Sequence, residues 1–334
     1  HSPSSHVQDQ TVEYSPLNEV LSTYLDEKKL TVTNQTFNTK VRRLRDFVKH
    51  IGLNKDIRSI SKRDAGQYIT SILVHKKDRY GRSLSVKTKK DVASDIRAFF
   101  HWCEARGYIE VNPFSNVMTT LRSIVKGSPS TRRGWNRTEI ATLLMDKNLR
   151  GDNVMMGLVL IALYSGMRGN EMAELRLEDV TEDYMRVVKG KNTNSIRKVP
   201  IHQKIAPLVS HFKATSSDGY LLEGLSRGGE DKKRYHNIGK RFNRRKDKIG
   251  FGKETVFHSF RHSLATALDN ASVPRELAEL VVGHSDQNRG LTYSLYSDGL
   301  EHDLLAETLN KADYGDEVEK IVVHLLSGLT GGGA

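Results

Sequence analysis

Between Pro16 and Val117 the chain carries apolar residues at helical spacing in four successive runs. That periodicity restricts this part of the molecule to a small helical bundle. Leu17, Val20, Leu21 and Leu25 form one stripe, and Phe37, Val41, Leu44, Phe47 and Val48 form a second within residues 36–51. Residues 59–73 and 85–106 give two more. Asn112-Pro113-Phe114 then stops the last helix, because the position before proline is biased away from the helical region.

Residues 121–134 are polar, basic and rich in turn formers, with Lys126-Gly127-Ser128-Pro129-Ser130-Thr131-Arg132-Arg133 at their centre. They read as an interdomain linker. The expected organisation is a helical domain over residues 16–120, the linker 121–134, a second domain over 135–315, and a C-terminal helix with a flexible tail over 316–334. The second domain opens at Trp135, with Asn136 or Thr138 capping its first helix. Within it, residues 185–191 and 196–201 are two β-rich runs around a polar turn, which predicts a hairpin. The fold class is therefore mainly α with a small β-sheet: a helical bundle followed by an α+β domain. At 334 residues the chain is long enough for two cores.

Lysine and arginine total 52 against 40 acidic residues, a formal charge of +12. Such an excess suits a polyanionic partner, although ribosomal, membrane-surface and heparin-binding proteins share it. The single Cys103 excludes an internal disulfide framework and a cysteine-based zinc site, and is compatible with a reducing cytosol. No apolar run approaches the ~18 residues of a membrane span. Residues 1–14 are polar and lack the apolar segment of a secretory signal. The chain begins on His rather than Met, so we expect sequence ahead of it. No glycine-rich nucleotide loop and no carboxylate cluster suited to Mg²⁺ stands out, which argues against an ATPase or a metal nuclease. Neither a cofactor nor a metal is expected.

The chemistry is concentrated in His258-Ser259-Phe260-Arg261-His262, in Gly283-His284 and in Leu291-Thr292-Tyr293-Ser294-Leu295-Tyr296-Ser297. Arginines fork onto two phosphate oxygens and stay charged, imidazoles move protons near neutral pH, and a phenol is a nucleophile once its proton is removed. Upstream, Ser165-Gly166-Met167-Arg168-Gly169-Asn170-Glu171 breaks a helical pattern, which puts Arg168 at the start of a new helix with Glu171 one turn on. With 13 histidines and 12 tyrosines in the chain, any one of these residues alone is more simply a surface or core position. The ordered set carries the inference.

Together these motifs resemble the tyrosine recombinase (phage integrase) family over residues 135–314. The resemblance implies a catalytic domain of that family's type and a catalytic set of Arg168, Lys191, His258, Arg261, His284 and Tyr296, with Glu171 in support. Lys191 is preferred to Lys189 because it follows Gly190 at the strand end. Tyr296 is preferred to Tyr293 by the Leu-Thr-Tyr-x-x-Tyr-Ser pattern, at the cost of a longer loop over residues 285–290. His262, beside Arg261 on one helix, is expected to face another side and to be structural.

The resemblance further implies cleavage and rejoining of double-stranded DNA through a 3′-phosphotyrosyl link, by a tetramer on paired sites, in the bacterial cytoplasm or nucleoid. The helical domain would then be the one that clasps the duplex opposite the catalytic domain. Its outward charges are expected to include Lys40, Arg42, Arg43, Lys49, Lys87, Lys89, Lys90 and Arg97, of which Lys89, Lys90 and Arg97 are the first candidates for DNA. Residues 234–248 should add a basic helix with Arg241, Arg244 and Arg245 on phosphates, the plain alternative in both places being a solvated helix face. The C-terminal helix either packs into a neighbouring protomer or folds back on its own domain. Two other functions stay open: a catalytically inactive DNA-binding accessory or regulatory protein on the same fold, and a type IB topoisomerase.

Overall fold

The structure, a computed structural model, describes residues 14–78, 80–125, 132–188, 196–283 and 298–331. The chain divides into two compact units, His1–Pro129 and Ser130–Ala334. Each has its own apolar core.

The first unit is helical, as its periodicity predicts: α1 (Leu17–Lys29), α2 (Asn34–Ile51), α3 (Lys62–Gln67), α4 (Val86–Ala105) and α5 (Val117–Ile124). α3 runs on into a wider turn over Tyr68–Leu73. Polar side chains start three of these helices by accepting exposed amides: Thr33 for α2, Ser61 with Asp64 for α3, and Ser85 for α4. The core is aromatic. Phe47 meets Tyr68, Phe100 and Phe114 edge-on at 4.9, 5.9 and 5.3 Å between ring centres. Asn112, buried before Pro113, donates to the Arg97 carbonyl and accepts from the Phe114 amide at 2.8 Å, which fixes the exit from α4.

Several charges expected to face outward are instead structural. Asp95 of α4 is nearly buried and takes Lys40 and Arg43 of α2, the latter at 2.7 Å. Two cations are thereby spent joining helices. Lys89 is buried, with its ammonium 3.2 Å from Ser83 Oγ, so it is not on an outward face. Four residues before Ala93 on the stripe that packs inward, it is carried into the bundle by helical phase. Arg97 is exposed and Lys90 half-buried. Leu121, taken as the start of the linker, is fully buried in α5 and belongs to the first unit's core.

The second unit begins with α6 (Arg137–Met145), α7 (Lys147–Arg150), α8 (Asn153–Ser165) and α9 (Gly169–Ala173). Asn136 is the cap of α6 and forms a reciprocal box with Glu139. A hairpin of β1 (Tyr184–Val187) and β2 (Arg197–Pro200) follows. The unit is completed by α10 (Ala206–Thr215), α11 (Tyr235–Ile249), α12 (Ser259–Asn270), α13 (Arg275–Val282), α14 (Asp298–Asn310) and α15 (Asp316–Thr330). α8 is apolar on all sides and buried from Met155 to Ser165, so it forms the axis on which α12 packs. α12 is pinned a second time by Trp135, whose amide donates to Ser263 Oγ at 2.8 Å and whose ring stacks on Phe260.

α15 folds back on its own unit, against α6 and α10, and buries Val318, Val322, Leu325 and Leu329. Its first turn is held by polar contacts: Glu319 accepts from Tyr164 Oη and from Lys204 Nζ, each at 2.7 Å, and from the Tyr314 amide at 2.9 Å. Of the two arrangements open for this helix, this chain shows the intramolecular one. No described helix is long and apolar enough to cross a membrane.

Because Asp95 is the shared partner of Lys40 and Arg43, Asp95→Ala leaves Lys40 without its carboxylate and Arg43 with only Asp91 at 3.5 Å, and is expected to cost about 3 kcal/mol. The chain's two tryptophans fall one in each unit. Denaturation of a Trp135→Phe background, followed by Trp102 fluorescence, reads the first unit alone and should show the midpoint falling in Asp95→Ala.

Candidate active site

The break in Ser165-Gly166-Met167-Arg168 builds the floor of the site. α8 ends on Gly166 at φ 60°, a left-handed position that favours glycine, and there is no room for a side chain, since a Cβ would lie 2.9 Å from Leu264 Cδ2. The chain turns at once into α9, whose first turn begins at Arg168. Gly169 sits against the Tyr235 ring, where a Cβ would fall 2.3 Å from a ring carbon. Glycines at 166 and 169 thus let the Arg168 turn seat between α12 and α11.

Glu171 lies where the sequence puts it, one turn into α9 and only 7% exposed. Its Oε2 accepts from the Arg168 amide at 3.0 Å and its Oε1 from Arg168 Nη1 at 2.7 Å. Arg168 is therefore clamped at both its backbone and its side chain while remaining 42% exposed. Arg261, on the first turn of α12, is 1% exposed and donates to the Gly166 carbonyl at 2.9 Å. The two arginines of the sequence motifs are held by one turn of chain, Arg261 on the carbonyl of Gly166 and Arg168 two residues later. His258 immediately precedes α12 and is exposed, three residues from Arg261.

A third arginine completes the cluster, and it was not anticipated. Arg197 of β2 sends Nη2 to Glu171 Oε2 at 2.9 Å and Nη1 to Oε1 at 3.3 Å. Strand register explains its direction: Arg197 pairs with Val187 and Met185 with Val199, so these four share the inward face, whereas Arg186 and Lys198 share the other. The readable signal was an arginine in phase with the buried residues of a strand.

The electrostatics follow from three guanidiniums around one carboxylate. Burial pushes Glu171 up, but its bonds to Arg197 and Arg168 outweigh that and leave its pKa below the ordinary 4.5. Arg261 moves the other way. Burial first, then repulsion from Arg168 and Arg197, push it down to about 9, with Glu171 opposing. All three arginines are cationic at neutral pH, so the cluster carries positive charge in excess of its carboxylate. An anion with several acceptor oxygens is the species that relieves it.

His262 faces another side from Arg261, as its place beside Arg261 on one helix predicts. It is exposed, and its ring stands 5.5 Å from that of His258, nearly perpendicular. Four residues make about one helical turn, so the pair shares a face even though Arg261, adjacent in sequence, points inward. Lys189, Lys191, His284, Tyr293 and Tyr296 lie outside the described residues. Gly283, the residue before His284, ends α13 at φ 75°. Among the described residues no group of three or more His, Cys, Asp or Glu side chains is placed to hold a metal ion.

The basic helix is α11, and its cations divide. Arg234, at its start, is buried on the Ala173 and Leu222 carbonyls at 2.9 and 2.8 Å, with Tyr220 beneath it, and Lys246 is buried on the carbonyls of Phe251 and Gly252. Arg241 pairs with Asp152 and Arg245 with Asp146. Arg244 is exposed, as are Lys240 and Lys248. Seven clustered cations therefore do not make one bare basic face, because a helix that must pack on its own unit uses some of them there.

Replacing Glu171 by Gln leaves three neighbouring guanidiniums without their counter-charge. We expect a loss of about 3 kcal/mol, partly recovered by added sulfate, in thermal melts of the two forms. Acid should act in the same direction. A carboxylate whose folded pKa is depressed contributes fully above its unfolded value, and that contribution is lost as pH falls through the folded one, so the melting temperature should drop below about pH 4 in the unsubstituted chain and not, from this cause, in Glu171→Gln.

Comparison with known proteins bears on the family and the fold. Residues 139–298, which contain both motif arginines and the His258 segment, match the family described as the phage integrase family. A tyrosine recombinase of Thermosipho africanus is 23% identical over 287 residues, covering 83% of this chain and 93% of that protein. Among solved structures, a lambda integrase dimer bound to a COC′ core site matches with a TM-score of 0.63 at 14% identity, over 83% of this chain and 77% of that one. The Tn1549 transposon integrase in complex with a circular intermediate DNA matches with a TM-score of 0.60 at 17% identity, over 90% and 96% of the two chains. With the ordered motifs, the arginine cluster and the fold in agreement, residues 139–298 form a domain of the phage integrase family, and the chain has the fold of tyrosine recombinase integrases.

Proposed function

We propose that this chain is a site-specific DNA recombinase that cuts and rejoins double-stranded DNA through a 3′-phosphotyrosyl intermediate. The observation that supports it most is the pairing of Arg168 and Arg261 across a single turn of chain, with more positive charge than Glu171 neutralises. A phosphodiester supplies the missing anion. Its non-bridging oxygens gain charge as the phosphorus is attacked, so fixed guanidiniums favour the transition state over the ground state.

In the proposed reaction the Tyr296 oxygen attacks phosphorus, a tyrosyl O–P bond forms and the bond to the 5′ oxygen breaks. The phenol, with an ordinary pKa of about 10, gives up its proton to the histidine side of the site, His258 and His284. Lys191 protonates the departing 5′ oxygen. The energy of the broken linkage is kept in the phosphotyrosyl bond, so a 5′-hydroxyl from a partner strand reverses the step and joins the strands. Two paired sites engage four protomers, which makes the working form a tetramer acting on DNA in the cytoplasm.

Lys90, Arg97 and Arg244 are our choices for contacts to the DNA backbone, joined by Arg241 and Arg245 if they exchange their aspartates for phosphates. Lys89 is left out because its ammonium is buried.

The test is covalent trapping on a nicked duplex that carries the end of the encoding element, with the unsubstituted chain, Tyr296→Phe and Tyr293→Phe compared. The expected result is a protein–DNA adduct that survives denaturation and is lost in Tyr296→Phe alone. Loss in Tyr293→Phe alone moves the nucleophile. Tight binding with no adduct from any form favours a catalytically silent DNA-binding protein on the same fold.

A further inference from the structure

We propose that Arg197 is a positioning residue of the strand-transfer site, fixing Glu171, and through it Arg168, while seating the backbone at Gly283. The inference rests on the recombinase reading above and adds to it a residue outside the expected catalytic set.

Three observations meet at this side chain. Arg197 forks onto both oxygens of Glu171, at 2.9 and 3.3 Å, and Glu171 uses the same two oxygens to hold the Arg168 backbone and side chain. Arg168 is a long, partly exposed side chain clamped by Glu171, so its direction depends on how firmly Glu171 is held. A bidentate arginine fixes the carboxylate's rotation as well as its position, which an ammonium cannot do.

The second observation is the Arg197–Gly283 contact. A Cβ at Gly283 would lie 2.7 Å from Arg197 Nε and 3.1 Å from Cδ. The backbone that leads directly into His284 therefore lies on the edge of the Arg197 side chain. Gly283 is required twice over, by its φ of 75° and by this contact. The third is position. Arg197 is 15% exposed and points inward from β2, so it acts from behind the cluster and does not itself face solvent. It stands at the foot of the hairpin whose other strand leads to Lys191. The motif glutamate, the backbone at Gly283 and strand β2 thus meet at one arginine side chain.

The experiment measures single-turnover cleavage of the same nicked duplex at saturating protein, alongside duplex affinity and melting temperature, in Arg197→Gln, Arg197→Lys, Glu171→Gln and Glu171→Gln/Arg197→Gln. Misplacing a reacting group by about 1 Å costs on the order of 100-fold, so Arg197→Gln should lose about that much in cleavage rate with duplex affinity unchanged. Arg197→Lys keeps the charge and guards against a simple folding failure; it should recover only a minor part of the rate. The double variant should be no slower than the slower single one, because both substitutions break the same link.

An unchanged rate in Arg197→Gln overturns the assignment. So does full recovery in Arg197→Lys, a multiplicative loss in the double variant, or a fall in rate that is matched by falls in affinity and melting temperature. Absence of an adduct from the unsubstituted chain overturns the recombinase reading and this assignment together, whereas a normal adduct with an indifferent Arg197 overturns this one alone.

Discussion

One carboxylate organises the second unit's chemistry. Glu171 is nearly buried, and a buried carboxylate is tolerable only with strong partners. It has them in Arg168 and Arg197. From that requirement follow the tight turn at Gly166, the seating of α9 against Tyr235, and the inward direction of an arginine on β2. Arg261 is brought in by a different bond, to the carbonyl at that same turn. The result is a compact group of like charges that the fold holds together and one anion does not fully balance. In the proposed reaction such a site would be prepared for phosphate before any phosphate arrives, as electrostatic catalysis of phosphoryl transfer requires.

The first unit uses a related device for another end. Asp95 gathers Lys40 and Arg43 between two helices, and Lys89 turns into the bundle. A net charge of +12 is therefore a poor map of where the exposed cations lie. Cations near a packed face are recruited to hold it, and those further out stay available. The same division on α11 separates Arg234 and Lys246, which fasten the helix, from Arg244, which is exposed.

Much of this was legible in the chain. Helical periodicity located α1, α2 and α4, and alternation located the hairpin, because each reflects a local preference that tertiary packing reinforces. The Ser-Gly-Met-Arg break and the His-x-x-Arg pair were readable for the same reason: glycine at a left-handed position and arginine at a helix start are local facts. Arg197 was not, since its role depends on which face of β2 is buried and on a carboxylate 26 residues earlier in the chain. Leu121, amid polar residues, packs through the partners that α5 brings it. Periodicity within one segment carries no information about such partners.

The central claim is that this cluster presents a scissile phosphate to a tyrosine. The measurement that tests it most directly is peptide mapping of the covalent adduct, in which the nicked-duplex complex is digested with nuclease and trypsin and the modified peptide is fragmented in a mass spectrometer. The account predicts a nucleotide joined through its 3′-phosphate to Tyr296. A 5′ linkage, a modified side chain that is not a tyrosine, or no modified peptide from protein that binds the duplex would contradict it.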